Sequence, residues 1–349
     1  MHINEVAKQL NTTSRSIRFY EEKGLISPEK DEENNYRYFT EKDILRLSTI
    51  LALREIGISV MDIKKILEDP KMSMEDYLNV QRSALFDKWI EIKDMIHAID
   101  QMVEKTEDDH YSMDNILSLA NHLKNLKNIR KNWQDKWNFD SWADDFDKNI
   151  KRIGHTFNVH QDYDEALAMI VDTVQLKQGE TCLDIGIGTG NLGSKFLTEG
   201  IKVIGVDQSE KMLEMCKEKH PLIEVRKGNF LAIPLMDNHV DAVVSSYALH
   251  HLTDDEKLLA LEEMRRVLKP NGQICIADLM FLNEDDREQV MGDFRKSGNT
   301  EAIVAIEDEY YADQLLLLNW LSEKGFEVKT HQFNDILGMI YAKKAKKDG

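Results

Sequence analysis

An α-rich helix-turn-helix unit, a dimerising coiled-coil helix and a carboxy-terminal α/β domain on a mostly parallel sheet are what this 349-residue sequence predicts. Three observations carry that multidomain reading. Ile3, Val6, Ala7 and Leu10 share one helical face ahead of a short polar turn and a second short helix. Leu78, Leu85, Trp89, Ile92, Ile96, Ile99 and Val103 recur four and three residues apart once Arg82 is taken as the weak position, the seam of a helix that buries itself against another. Finally, the run Cys182-Leu183-Asp184-Ile185 leads into Gly186, Gly188 and Gly190, and Val203-Ile204-Gly205-Val206 ends in Asp207. That order reads as strand, glycine loop, helix start and a second strand tipped with an acid.

In the first unit, Asn11-Thr12-Thr13 breaks the first helix, Thr13 or Ser14 caps the next, and Gly24 ends it in the left-handed conformation. Thr40 and Asp43 form a capping-box start to a longer helix stopped by Gly57, and Ser59 starts another carrying Ile63, Ile66 and Leu67. The blocks Ser14-Arg15-Ser16-Ile17-Arg18-Phe19-Tyr20-Glu21 and Asn34-Asn35-Tyr36-Arg37-Tyr38-Phe39 resemble MerR-type transcriptional regulators, the second block being the wing of a winged helix-turn-helix. Phe19, Lys30 and Asn35 depart from that family's usual Tyr, Arg and Gly. The resemblance implies that Arg15, Arg18 and Tyr20 on the recognition helix and Arg37 and Tyr38 on the wing contact double-stranded promoter DNA. Most such contacts go to phosphates, which position the protein, while base edges specify sequence. It also implies RNA polymerase as a partner, and activation by twisting an overlong promoter spacer.

Charge does not advertise that partner. The chain carries −18, and residues 1–70 hold 11 basic against 13 acidic residues. Screening over about 8 Å lets a local basic cluster outweigh distant acids, so specific binding is expected and tight non-specific binding is not.

The heptad seam places a dimerisation helix at 73–108 between a DNA-binding unit at 1–72 and a linker at 109–132. MerR-like proteins dimerise through a helix at this place, which implies a homodimer. Glu104-Lys105-Thr106-Glu107-Asp108-Asp109 ends the pattern in a charged stretch. Residues 110–160 are polar and helical with Trp133, Trp137 and Trp142. Trp142-Ala143-Asp144-Asp145-Phe146-Asp147 is similar to a segment that precedes the cofactor motif in small-molecule methyltransferases and covers their acceptor pocket. Plain core aromatics are the alternative.

Two cofactor classes fit the glycine loop. Gly188-Thr189-Gly190-Asn191-Leu192-Gly193 satisfies the dinucleotide pattern, which keeps a nicotinamide enzyme open. Three features favour S-adenosylmethionine: Asp184 ends the strand itself, the glycines fall two residues apart, and Gly228-Asn229-Phe230 supplies a third polar station. Asp241 to Leu252 then runs apolar, small and paired-histidine. A helical pattern through Leu258, Leu261, Met264, Val267 and Leu268 follows, closed by Lys269-Pro270-Asn271-Gly272 and the strand Ile274 to Ala277. Residues 133–349 resemble class I methyltransferases, with Phe326 to Lys329 and Ile336 to Ala342 as the antiparallel pair closing a seven-stranded sheet. By that likeness Asp184, Gly186, Gly188, Gly190, Asp207, Gln208, Asn229, Phe230 and Ser245 form the cofactor site. The glycines pack the methionine portion, Asp207 takes both ribose hydroxyls, and Asn229 with the Phe230 amide reads the adenine edge. Asn229 departs from the usual Asp, which implies weaker binding. His250 and His251, at the carboxyl end of a strand, either act on the acceptor or are hydrogen-bonded core histidines.

Hydrophobic residues at 42% suffice for cores, no run approaches a membrane span, and no signal peptide is evident, so a cytoplasmic protein is expected. Cys182, Cys216 and Cys275 give neither a disulfide framework nor a metal-spaced pair, and no metal is expected. The leading expectation is a bacterial regulator that also methylates or senses a small molecule with S-adenosylmethionine. The alternative is a non-catalytic ligand sensor on the same fold.

Overall fold

The computed structural model describes residues 1–30, 36–67, 73–107, 113–132, 137–150, 157–197 and 200–344. Asn34, Asn35, Asp108, Asp109 and Trp133 lie outside the described residues. The chain divides into two compact units, Met1–Ile96 and His97–Gly349.

Local capping chemistry sets the helices of the first unit. Ile3–Gln9 is followed by Ser14–Glu22, whose N-cap Thr13 accepts from the Ser16 amide, and Gly24 leaves that helix at φ +69°. Strands β1 (Glu29–Lys30) and β2 (Arg37–Tyr38) pair antiparallel. The predicted Thr40–Asp43 capping box starts Glu41–Glu55, and Ser59 caps Val60–Ile66. Val6, Ile17, Leu25, Phe39, Leu47, Ile50, Leu53 and Ile63 make the core. Arg46 fastens it, donating to the Leu25 and Leu67 carbonyls and to the Tyr77 hydroxyl. Tyr77 is wholly buried and Gln81 donates to Thr49, so the start of the long helix Met74–Glu107 is anchored to this core. Along the same helix Leu78, Leu85, Ile92, Ile96, Ile99 and Val103 are exposed.

The stretch 109–132, expected as a linker, contains a helix, Met113–Asn132. The helix agrees with the helical reading of residues 110–160, and its Leu119, Leu123, Leu126 and Ile129 recur at helical spacing.

The second unit is organised by its sheet. β3 (Thr181–Ile185), β4 (Lys202–Asp207), β5 (Glu224–Lys227), β6 (Val240–Ser246) and β7 (Leu268–Phe281) run parallel. β8 (Ala312–Asp313) pairs with the end of β7, while β9 (Phe326–Gln332) and β10 (Leu337–Lys344) close the far edge antiparallel. The path is β5-β4-β3-β6-β7-β10-β9, so seven strands form the expected sheet and β8 is an addition off it. Alternate side chains go to opposite faces: Cys182, Val203, Val244 and Cys275 to one core, Leu183, Ile204, Val243 and Ile274 to the other. Strands covered on both faces read as unbroken apolar runs, which makes this part of the chain the most legible. Order reverses between β3 and β6, and open α/β sheets bind ligands in the crevice beyond the carboxyl ends at such a point.

Candidate functional site

At that reversal the glycine loop is shaped by close approach and by backbone angle. Gly186 has φ +74°, and a Cβ there would stand 2.5 Å from the Ala248 Cβ and 3.3 Å from the Phe230 ring. Gly190, at φ +92°, would meet His220 at 2.8 Å and the Cys216 Sγ at 2.9 Å. Glycine alone keeps these approaches and conformations without strain. Asp207 fixes the loop from the next strand: its Oδ2 accepts from the Gly188 amide at 2.9 Å and its Oδ1 from the Ser209 amide at 2.9 Å.

Gly186, Gly188, Asp207, Gln208, Asn229 and Phe230 line one end of a cavity of about 460 Å³. Asp184, Gly190 and Ser245 do not line it. Ser245 donates to the Ile185 carbonyl at 2.8 Å, tying β6 to β3. The Asn229 Oδ1, expected to accept from a purine amino group, instead accepts from the Leu231 and Ala232 amides at 2.9 and 3.1 Å. Two backbone donors fix the oxygen there, so Asn229 shapes the turn. Arg266 holds the next residues, donating to the Ile233 and Leu235 carbonyls.

Asp184 sits beneath the loop, 1% exposed, with Oδ2 unpartnered. Burial pushes its carboxyl up to about 7, against the Gly193 amide and with help from the Asp207 charge. The folded state thus keeps a proton that the unfolded chain releases near pH 4. The contribution of Asp184 to stability therefore falls as pH rises from about 4 to about 7, and its loss is complete above that. The thermal midpoint of wild type should accordingly drop relative to that of Asp184→Asn between pH 5 and 8, a difference in which the opposing contributions of His160 and His251 cancel. Identical profiles for the two proteins would refute the assignment.

The other end of the cavity is built around Asp278, an acid near the carboxyl end of β7 that directly follows the Ile274 to Ala277 strand of the methyltransferase-like run. It is wholly buried; Oδ2 accepts from the Ala248 and Leu249 amides at 2.8 and 2.7 Å, and Oδ1 accepts from the Leu279 amide and pairs with the His250 Nδ1 at 2.5 Å. Burial opposes charge on both partners, yet each outweighs it for the other: His250 is raised and Asp278 lowered from their ordinary values. His250 and His251 share the single turn Leu249–His251 after β6. His251 packs between Trp137 and Phe139 with ring centroids at 5.1 and 4.9 Å, and burial, with the His250 charge, pushes it down to about 2. His160, pushed down to about 4 by burial and by His250, stacks on Tyr247 at 5.2 Å. Glu309 completes the lining. His250 is thus a buried, hydrogen-bonded histidine that also lines the cavity.

One wall belongs to residues 137–150. Phe139, Ser141, Trp142, Phe146 and Ile150 line the cavity, and three carboxylates hold the segment to both loops. Asp140 accepts from the Ser209 hydroxyl at 2.6 Å, Asp144 pairs with Lys211, and Asp147 accepts from Thr189 and Asn191 at 2.7 and 3.1 Å and pairs with Lys219. The tryptophan-acid segment of the sequence is this wall; Asp140 precedes that segment and belongs to no motif.

In the first unit Arg15 and Arg18 are exposed on Ser14–Glu22. Tyr20 is not beside them at the surface: it is 8% exposed and belongs to the core, while Phe19 is exposed. The Arg37 Nε donates to the Glu21 Oε2 at 2.5 Å, so its charge is matched locally, and Tyr38 is exposed against the His2 ring.

Comparison with known proteins adds family likeness to this geometry. Residues 183–276 match the methyltransferase domain family, and residues 1–69 match the MerR HTH family of regulatory proteins. An uncharacterized methyltransferase of Oceanobacillus iheyensis is 34% identical over 207 residues, spanning 59% of this chain and 95% of the relative. One of Anoxybacillus flavithermus is 32% identical over 206 residues, spanning 59% and 96%. A solved SAM dependent methyltransferase from Aquifex aeolicus is similar at 24% identity with a TM-score of 0.41, over 57% of this chain and 98% of that one.

Proposed function

Because the chain belongs to the methyltransferase family and carries a MerR-type helix-turn-helix unit, we propose that it is a promoter-binding transcriptional regulator whose second unit uses S-adenosylmethionine to methylate or sense a small molecule. The observation that carries this reading is the single cavity with two chemically distinct ends. At one end the Gly186 cradle, which any Cβ would fill, and the Asp207 carboxylate suit a cofactor bearing a ribose diol. An ionised carboxylate accepts at about four lone-pair sites, enough for one residue to hold the glycine loop and meet a diol. At the other end His250, His251 and Glu309 face an acceptor among aromatic walls. When bound, the cofactor supplies a methyl group already activated by its sulfonium. The protein's part is to align an acceptor with that methyl and exclude water, where orientation supplies much of the acceleration. Aromatic faces such as Trp142 and Phe146 also favour a cationic ligand.

Calorimetric titration of the full-length chain with S-adenosylmethionine, followed by an acceptor screen read as S-adenosylhomocysteine release, tests both halves of this reading. Micromolar binding with release supports the enzyme; binding without release under any acceptor supports the ligand-sensing regulator; no binding sinks both.

The exposed heptad seam supports a homodimer through Met74–Glu107. Leu85→Glu with Ile92→Glu should convert a dimer to a monomer in sedimentation and weaken promoter binding at least tenfold while leaving cofactor affinity unchanged. Arg15→Ala and Arg18→Ala should each lower the salt slope of promoter binding by about 0.9 for every phosphate that the variant no longer neutralises. A seam variant that stays dimeric would remove the coiled coil from this account.

A further inference from the structure

We propose that His250, His251 and Glu309 form a binding site for one divalent transition-metal ion at the acceptor end of the cavity. Among the described residues this is the one set of three potential ligand side chains whose donor atoms lie within 4.8 Å of one another. Three features of the cluster point to an ion rather than to core packing.

The first is orientation. The Nδ1 of His250 is taken by Asp278, which leaves Nε2 to face Glu309. A carboxylate that holds one ring nitrogen while the other meets a metal is the usual outer-sphere arrangement of metal-binding histidines, fixing both tautomer and ring angle. Asp278 is itself locked by three backbone amides, so the aim of Nε2 is set by the sheet.

The second is a gap. His250 Nε2 and Glu309 Oε2 are 3.8 Å apart, beyond hydrogen-bond reach. Two ligands sharing one ion through bonds of roughly 2.0–2.2 Å stand about 3 to 3.4 Å apart, so a small rotation of Glu309 closes the pair on an ion. The segment that carries Glu309 is already latched to the histidine turn, because the Tyr310 amide donates to the His250 carbonyl at 2.9 Å.

The third is unmet polarity. The His251 Nδ1 is buried with no hydrogen-bond partner, as are the hydroxyls of Tyr247 and Tyr311. Buried polar groups without partners are uncommon and expensive; here His251 and Tyr247 line one cavity, and the Tyr311 ring lies 6.2 Å from that of His250. An ion bound at that nitrogen of His251 would satisfy the imidazole directly. Charge also balances: Asp278 and Glu309 together offset a divalent ion, so the filled cluster adds no net positive charge beside a cationic cofactor. Two imidazoles and one carboxylate suit zinc, iron(II), manganese(II) or cobalt(II) rather than calcium or magnesium. Positions left open on the ion would face the cavity and could take an oxygen, nitrogen or sulfur of a bound small molecule.

The test uses the full-length chain freed of metal by chelation and dialysis. Cobalt(II) is added as a spectroscopic probe, zinc(II) is titrated by calorimetry, and S-adenosylmethionine is titrated separately to report that the second unit is folded. One cobalt per chain with a visible absorption band is expected. His251→Ala and Glu309→Gln should each weaken metal binding by more than the roughly 10- to 100-fold that loss of an outer-sphere partner costs, with cofactor affinity kept. Fewer than one cobalt per chain in wild type, or metal binding unchanged in both variants, overturns the site whether or not the cofactor binds. Loss of cofactor binding with metal binding intact would instead count against the methyltransferase reading alone.

Discussion

Asp207→Ala should bring S-adenosylmethionine binding by the full-length chain below calorimetric detection, the largest single effect expected in the molecule. The carboxylate holds the Gly188 and Ser209 amides from one position and is the anion placed to take the ribose diol. Hydrogen bonds to a charged acceptor contribute about 1.5–3 kcal/mol each, so losing two to a ligand weakens binding by roughly a hundredfold to ten-thousandfold. Removing the loop bonds as well leaves two amides near the cavity without their acceptor. Asp207→Asn separates these effects. Its amide oxygen can serve only one of the two loop amides, so it should bind weakly yet measurably. Affinity within threefold of wild type in the alanine variant would mean that the cofactor lies elsewhere.

Gly186→Ala should lower both stability and cofactor affinity, and a second glycine calibrates the result. Alanine at φ +74° costs about 1–2 kcal/mol from the left-handed conformation alone. Its Cβ would also stand 2.5 Å from the Ala248 Cβ, and forcing such an overlap in packed surroundings costs about 1–3 kcal/mol more. Gly298 has nearly the same φ, +70°, but nothing within 4 Å of its would-be Cβ. Gly298→Ala should therefore show the backbone penalty without the collision. The difference in thermal midpoint between the two variants measures the close approach. Because Ala248 leads directly into the turn bearing His250 and His251, the same variant should disturb the proposed metal site. Equal midpoints for the two variants would show that the loop relaxes freely.

The elements legible in the sequence are those whose determinants are local. Thr13, Thr40 and Ser59 cap helices through bonds to amides three residues on, which sequence spacing states outright. The parallel strands announce themselves because both faces are buried. Asp278 is readable in principle, being an acid at a strand's carboxyl end like Asp184 and Asp207, but nothing local reveals its histidine. Glu309 and His160 reach the cavity from segments 59 and 90 residues away from His250, and no spacing rule spans such a separation. Tyr20 and Arg37 show the converse problem. Both sit where the regulator resemblance puts DNA contacts, yet one ring is turned into the core and one guanidinium is matched to Glu21, facts set by packing and not by position in a motif.

The wall at 137–150 differs in kind from the rest of the cavity. The glycine loop and the histidine turn are held by strand-end carboxylates, Asp207 and Asp278, that accept from backbone amides, whereas this wall carries its own carboxylates, Asp140, Asp144 and Asp147, which bond chiefly to side chains of the facing loops. The two lysine pairs are partly exposed, and such pairs contribute little, about 0–1 kcal/mol. One side of the cavity is thus tied on by bonds that salt or a single substitution can loosen, and replacing any of the three aspartates should shorten ligand residence more than it lowers affinity when dissociation rates and equilibrium binding are measured side by side.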